Sequence, residues 1–169
     1  MTTTSPAMIG SKSSTGRPAD VRPIRWDDRV RYGLFPLIAR SLLVLEFLVA
    51  LNGKISGWSG QAAYMAAHGM HFIGPLLGAA LGIELLGSIC LVTGYAARAA
   101  AATMFVYLSI VSVELHDFWN KSGNSSGMYM TEFFKNMGIM GGLLLIAAYG
   151  PGDWALGGGS RRRLAGDRL

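Results

Sequence analysis

The chain has 169 residues, 51% of them hydrophobic and only 15% charged, well under the ~25% charged usual in a soluble domain. A mean hydropathy of +0.36 with 23 glycines excludes a disordered, collagenous or coiled-coil chain and points to one compact membrane domain. The net charge of +5 sits mostly in the two tails with no aromatic interleaving, which excludes a nucleic-acid module, and a single cysteine, Cys90, excludes a disulfide framework and any multi-cysteine metal site.

Residues 1–32 read as a disordered basic cytoplasmic tail. Up to about residue 22 it is Thr, Ser, Gly and Pro with scattered charge, too little apolar surface to offset the entropy of ordering. It closes in an interfacial segment, Ile24-Arg25-Trp26-Asp27-Asp28-Arg29, which mixes an aromatic with both charge signs. The apolar run that follows is too long for a signal-peptide core and has no small-residue cleavage site behind it.

Residues 33–156 are expected to form a four-transmembrane-helix antiparallel bundle. The spans are Leu34 to Asn52, Phe72 to Val92, Ala96 to Leu115 and Phe133 to Tyr149, each near the ~20 residues that cross ~30 Å of hydrocarbon. Continuous apolar runs favour helices over barrel strands, which would alternate. Gly53 to His71 contains room for an interfacial helix, Thr93 to Tyr95 is a tight turn, and His116 to Glu132 is a polar connection. Residues 157–169 form a second basic tail.

The basic residues orient the bundle. Lys12, Arg17, Arg22, Arg25, Arg29 and Arg31 precede the first span, Arg161, Arg162, Arg163 and Arg168 follow the last, and Arg98 lies beside the second turn, against Lys54, Lys121 and Lys135 at the opposite end. The positive-inside rule then makes both termini cytoplasmic. Gly74, Gly78 and Gly82 recur every four residues, as do Gly138 and Gly142. Such rows let helices approach closely in lipid, either inside the bundle or against another subunit as a homo-oligomer.

An ionisable group inside a span costs ~2.5–3.5 kcal/mol on insertion scales and asks for a partner or a task. Counting depth at 1.5 Å per residue puts Arg40 and Glu84 close enough to form a structural ion pair. Glu46 is about a third of a turn away from Arg40 on the helix and is expected to meet Lys135, with Asn136 beside it. With His116, these residues form an outer-half cluster able to hold a polar head group or shuttle protons. His68 and His71 are spaced i, i+3 but lack a third ligand, so no metal is expected. Trp58, Tyr64, Trp119 and Tyr129 suit an interfacial aromatic belt.

Several local patterns recur in order. The first span has the early Arg40 and ends Asn52-Gly53-Lys54. The second has Glu84 before Leu85-Leu86-Gly87 and a Gly94-Tyr95-Ala96-Ala97-Arg98 turn. The fourth opens Phe133-Phe134-Lys135-Asn136, and the chain leaves at Tyr149-Gly150-Pro151-Gly152-Asp153. In that order and spacing, over residues 34–156, the chain resembles the DoxX family of bacterial four-helix membrane proteins, with Lys54 and Arg98 as motif residues. The resemblance implies a multi-pass inner-membrane protein of sulfur or oxidative-stress metabolism. It would be a membrane subunit of a quinone-dependent oxidoreductase, with other membrane or peripheral redox proteins as partners beside the lipid bilayer. It would bind quinone through Glu46, Lys135, Asn136 and His116 and carry no covalent cofactor. The alternative reading is a non-catalytic membrane anchor or assembly factor that docks partner proteins.

Overall fold

The structure is a computed structural model and describes residues 26–156. The two tails expected to be disordered, up to residue 25 and from residue 157, lie outside the described residues. Five helices and a short 3-10 turn carry the fold, and the described residues contain no strand. Helix α1 spans Trp26–Ser56 with one widened π turn at Val30–Leu34. Helix α2 is Trp58–Ala67, α3 Ile73–Thr93 and α4 Ala97–Leu115; a 3-10 turn at Phe118–Asn120 leads into α5, Asn124–Tyr149.

Three stretches are long and apolar enough to cross a membrane: Trp26–Ser56, Ile73–Thr93 and Ala97–Asn120. Helix α5 has the length, at 26 residues, but opens with Asn124-Ser125-Ser126-Gly127 and carries Glu132, Lys135 and Asn136. Two boundaries differ from expectation. The first helix starts at Trp26 rather than Leu34, so the interfacial segment and the first span are one rod. The polar connection expected up to Glu132 turns helical at Asn124, directly after Gly123, at φ +65°, redirects the chain, and Ser126 Oγ ties the new helix to the Phe118 carbonyl at 3.3 Å. The interfacial helix expected after Gly53 is α2.

Helix α5 packs chiefly on α4, α4 on α3, and α3 on α1, while α1 and α5 meet only briefly. The main core joins Val44 and Phe47 of α1 to Leu91 of α3, Ala101, Met104 and Leu108 of α4, and Met140, Leu143 and Ile146 of α5. It lies toward the end where α1 begins and α5 finishes, here termed the base. A smaller cluster of Met65, Leu77 and Leu115 sits at the opposite end, the crown, beneath α2.

The segment after α5 clasps the base. Asp153 N–H donates to the Tyr32 carbonyl at 2.8 Å and Leu156 N–H to the Thr93 carbonyl at 2.9 Å. The Trp154 indole lies so close over Gly33 that a Cβ there would stand 2.6 Å from Nε1. Gly94 serves the α3–α4 turn at φ +81°, and a Cβ on it would strike Ala155 and Arg40.

The glycine rows do not pack as an internal seam. Nothing lies within 4 Å of a Cβ built on Gly74, Gly78, Gly82 or Gly138, whereas Gly87 is in tight contact with Met104 and Gly142 with Leu43. The buried side of α3 carries Leu77, Glu84, Gly87, Ser88 and Leu91, and the i, i+4 row falls more than a quarter-turn away from it at 3.6 residues per turn.

Candidate functional site

Arg40 does not pair with Glu84. Its side chain, 1% exposed, donates from Nη2 to the Trp154 carbonyl at 2.7 Å, from Nη1 to the Leu91 carbonyl at 3.1 Å and from Nε to the Pro36 carbonyl at 3.4 Å. Each of its three nitrogens thus has a carbonyl partner at the base. Leu91 lies seven residues beyond Glu84 on α3, about 10 Å along the axis, so the two expected partners sit at different depths. Arg98, also at the base, donates to the Ala148 carbonyl near the end of α5.

Glu84 instead closes a polar group in the middle of the bundle. Its Oε1 accepts from Lys54 Nζ at 2.7 Å and from the Tyr107 hydroxyl at 2.7 Å. The heptad spacing carried this signal. On α1 the buried Arg40, Val44 and Phe47 mark a stripe that Lys54 extends seven residues on, and on α3 Leu77, Glu84 and Leu91 are seven apart. Lys54 is thus an internal partner rather than a purely interfacial lysine, and Tyr107 is a site residue the sequence gave no reason to single out. Oε2 of Glu84 is buried and has no hydrogen-bond partner among the described residues.

On the neighbouring wall, Lys135 Nζ stands 3.0 Å from Glu46 Oε1 and 2.7 Å from Glu132 Oε2. Glu132 reaches this position because α5 begins earlier than the sequence suggested. Asn136 is buried and points elsewhere: its Nδ2 donates to Ser112 Oγ at 3.0 Å, and Ser112 donates in turn to the Leu108 carbonyl at 2.7 Å. His116 is half-buried, its ring edge-on to Tyr129 at 6.5 Å.

These groups surround two joined spaces. A cleft of about 750 Å³ runs between all five helices at the crown. Glu46, Lys54, Tyr107, His116, Glu132 and Lys135 line it together with an apolar wall from α3 and α4. A smaller chamber of about 130 Å³ shares those six residues and adds Glu84 and Asn136. Val49, Ile110 and Met128 on the cleft wall are 63%, 58% and 64% exposed, so the cleft is open to its surroundings. A second cleft of about 730 Å³, nearly all apolar, lies toward the base between α1 and α5, where those helices barely touch.

Tyr64 and Tyr129 belong to the crown cleft as well as to the expected aromatic belt. Tyr64 donates to the Leu115 carbonyl at 2.5 Å, tying α2 to the end of α4, and burial foremost holds its hydroxyl above the ordinary range, so it stays a donor. Trp58 and Trp119 are exposed as a belt requires. His68 and His71 part company: His68 meets the Tyr64 carbonyl at 2.8 Å and Lys121 Nζ at 3.3 Å, while His71 is exposed.

The comparisons with known proteins replace the expected family. The model of the SURF4 family matches residues 76–161, half of the chain. The chain belongs to the SURF4 family. The DoxX resemblance is thereby corrected: its motifs are short, and Arg40, Lys54 and Glu84 sit where any bundle of this packing can use them. Escherichia coli inner membrane protein YphA is 35% identical over 71% of this chain and 86% of its own length. Inner membrane protein YqjF of the same organism is 31% identical over 71% of this chain and 87% of its own. The ER-derived vesicles protein ERV29 of Saccharomyces cerevisiae is 28% identical over 42% of this chain and 23% of its own length. No solved structure matches the chain. With these inner-membrane relatives and three membrane-crossing helices, this SURF4-family chain is a multi-pass protein of the bacterial inner membrane.

Proposed function

We propose that the chain is a non-catalytic membrane anchor or assembly factor that docks a partner membrane protein, with a helix of the partner lying along the glycine row of α3. The observation that carries this reading is the emptiness of the space beside Gly74, Gly78 and Gly82, which continues into the exposed Leu85 and Ile89. Within lipid no hydrophobic force draws helices together, and close backbone approach over small residues supplies the attraction instead. A face that the bundle leaves open is therefore suited to a second protein. ERV29, described as a protein of ER-derived vesicles, is in keeping with docking duties in a membrane. Neither the relatives' names nor the site residues add support to a quinone-linked redox role.

In this reading α5 is a fourth crossing, and the base, where α1 begins and α5 finishes, faces the cytoplasm, in accord with Arg29, Arg31 and Arg98 there. The test is to fill the row. Gly78→Leu and Gly82→Leu should leave the amount and monodispersity of the protein unchanged while a partner captured with the wild type from native membranes is lost. Retention of the same partner by both variants would refute docking at this face.

A further inference from the structure

The crown cleft is separate from the glycine face and supports an inference of its own. Its inner chamber is ringed by three carboxylates, Glu46, Glu84 and Glu132, and two ammonium groups, Lys54 and Lys135, which leaves one negative charge uncompensated. The second observation is more specific. Glu84, its side chain 3% exposed, lines the chamber with Oε2 buried and without a hydrogen-bond donor among the described residues. A buried acceptor in that condition is costly, and a charged one more so. Lys54 and Tyr107 are both engaged on the other oxygen, and Ser88 Oγ, one turn on along α3, is likewise buried without a partner among the described residues, so Oε2 is open to a donor held in the chamber.

The chamber opens into the larger cleft, whose remaining wall is built from Met65, Leu76, Leu77, Ile83, Ile110 and Val111. An occupant that satisfies both spaces carries a compact, positively charged donor at one end and an apolar chain at the other. Among the described residues no group of three His, Cys, Asp or Glu side chains could hold a metal ion, and a bare cation would leave the apolar wall unused. The volume, about 750 Å³, lies within the ~300–1,000 Å³ of sites for small organic ligands. We propose that the crown cleft binds an amine-headed amphiphile, with its ammonium against Glu84 Oε2 and its chain along the α3–α4 wall.

The test is native mass spectrometry of the full chain released from a neutral maltoside detergent, after incubation with dodecylamine, dodecanol, dodecanoate or butylamine. Dodecylamine should be retained about tenfold more than dodecanol, as a hydrogen bond to a charged group implies, and butylamine, which has the head without the chain, far less. Glu84→Gln should abolish the advantage of the amine over the alcohol. Should that variant fail to fold, Glu46→Gln, which neutralises the chamber from a half-exposed position, should reduce it several-fold. Equal retention of amine and alcohol, a preference for dodecanoate, equal retention of butylamine, or an undiminished amine advantage in the carboxamide variant would each overturn the proposal. Gly78→Leu should leave amine retention unchanged, so failure here and failure of docking at the glycine face are distinguishable.

Discussion

The base and the crown of this bundle use the same kinds of residue to opposite ends. At the base an arginine is buried against three backbone carbonyls, a tryptophan lies on a glycine, and the segment after α5 is hydrogen-bonded to both Tyr32 and Thr93. At the crown three carboxylates and two lysines line an open cleft, Oε2 of Glu84 has no hydrogen-bond partner among the described residues, and the apolar cluster is small. The contrast teaches that a charge inside a membrane is not a functional residue by virtue of its burial. Each of the three nitrogens of Arg40 is engaged in closing the fold, whereas Glu84, equally buried, keeps one acceptor without a partner among the described residues.

The largest expected effect breaks the base. Arg40→Met removes a charged donor from three carbonyls, and because a hydrogen bond to a charged group is worth ~1.5–3 kcal/mol, it should destabilise by at least about 3 kcal/mol. Thermal unfolding of the purified protein checks this, and a melting temperature within a degree or two of wild type would show that the clasp does not hold the helices. Gly33→Ala comes next. Its methyl group would overlap the Trp154 indole, and overpacking of this kind costs ~1–3 kcal/mol; Trp154 should move to a more exposed, red-shifted environment, and unchanged stability and emission would contradict the contact.

Smaller still is the expected cost at the crown. Lys135→Met removes the shared cation of two ion pairs whose three side chains are each about 40% exposed, and such pairs contribute ~0–1 kcal/mol each. Stability should be nearly unchanged while the net charge beside the chamber becomes more negative, raising dodecylamine retention. A loss of more than about 2 kcal/mol would mean that the crown, too, is structural, contrary to the comparison. Topology sharpens the same contrast without any change in stability: a cysteine at Ser125 should react with an impermeant thiol reagent added to intact cells. Failure there, with labelling of a cysteine at Arg29, would turn the base outward.

Much of the fold was legible because it follows from length and hydropathy. The three stretches able to cross a membrane, the Gly94 turn and an extra helix after Gly53 needed no tertiary information. The start of α5 was hidden, since Asn124-Ser125-Ser126-Gly127 carries turn composition and its tie to the fold, from Ser126 Oγ to the Phe118 carbonyl, is a contact eight residues back that no periodicity marks. The site was legible in part. A depth count brings Glu46 to Lys135 but also pairs Arg40 with Glu84, because it measures position along one axis and ignores where the side chains point. The seven-residue stripes that join Lys54 to Glu84 contain the missing angular information. Nothing in the sequence reveals Trp154 over Gly33, a contact between residues 121 positions apart made by a segment with no periodicity. The glycine rows were misleading for the same reason as the depth count: their spacing shows a common face but not what that face meets.

Docking at the open face of α3 is most directly tested by photocrosslinking in native membranes from a benzophenone amino acid in place of Leu85, which continues the glycine row without filling it, with positions 42 and 145 as controls, where Leu42 and Leu145 are exposed on other helices. The account predicts a protein-sized adduct from position 85 alone, containing one partner polypeptide other than this chain and lost when Gly82→Leu is added. Adducts of lipid only at all three positions, or crosslinks at position 85 solely between copies of this chain, would contradict it.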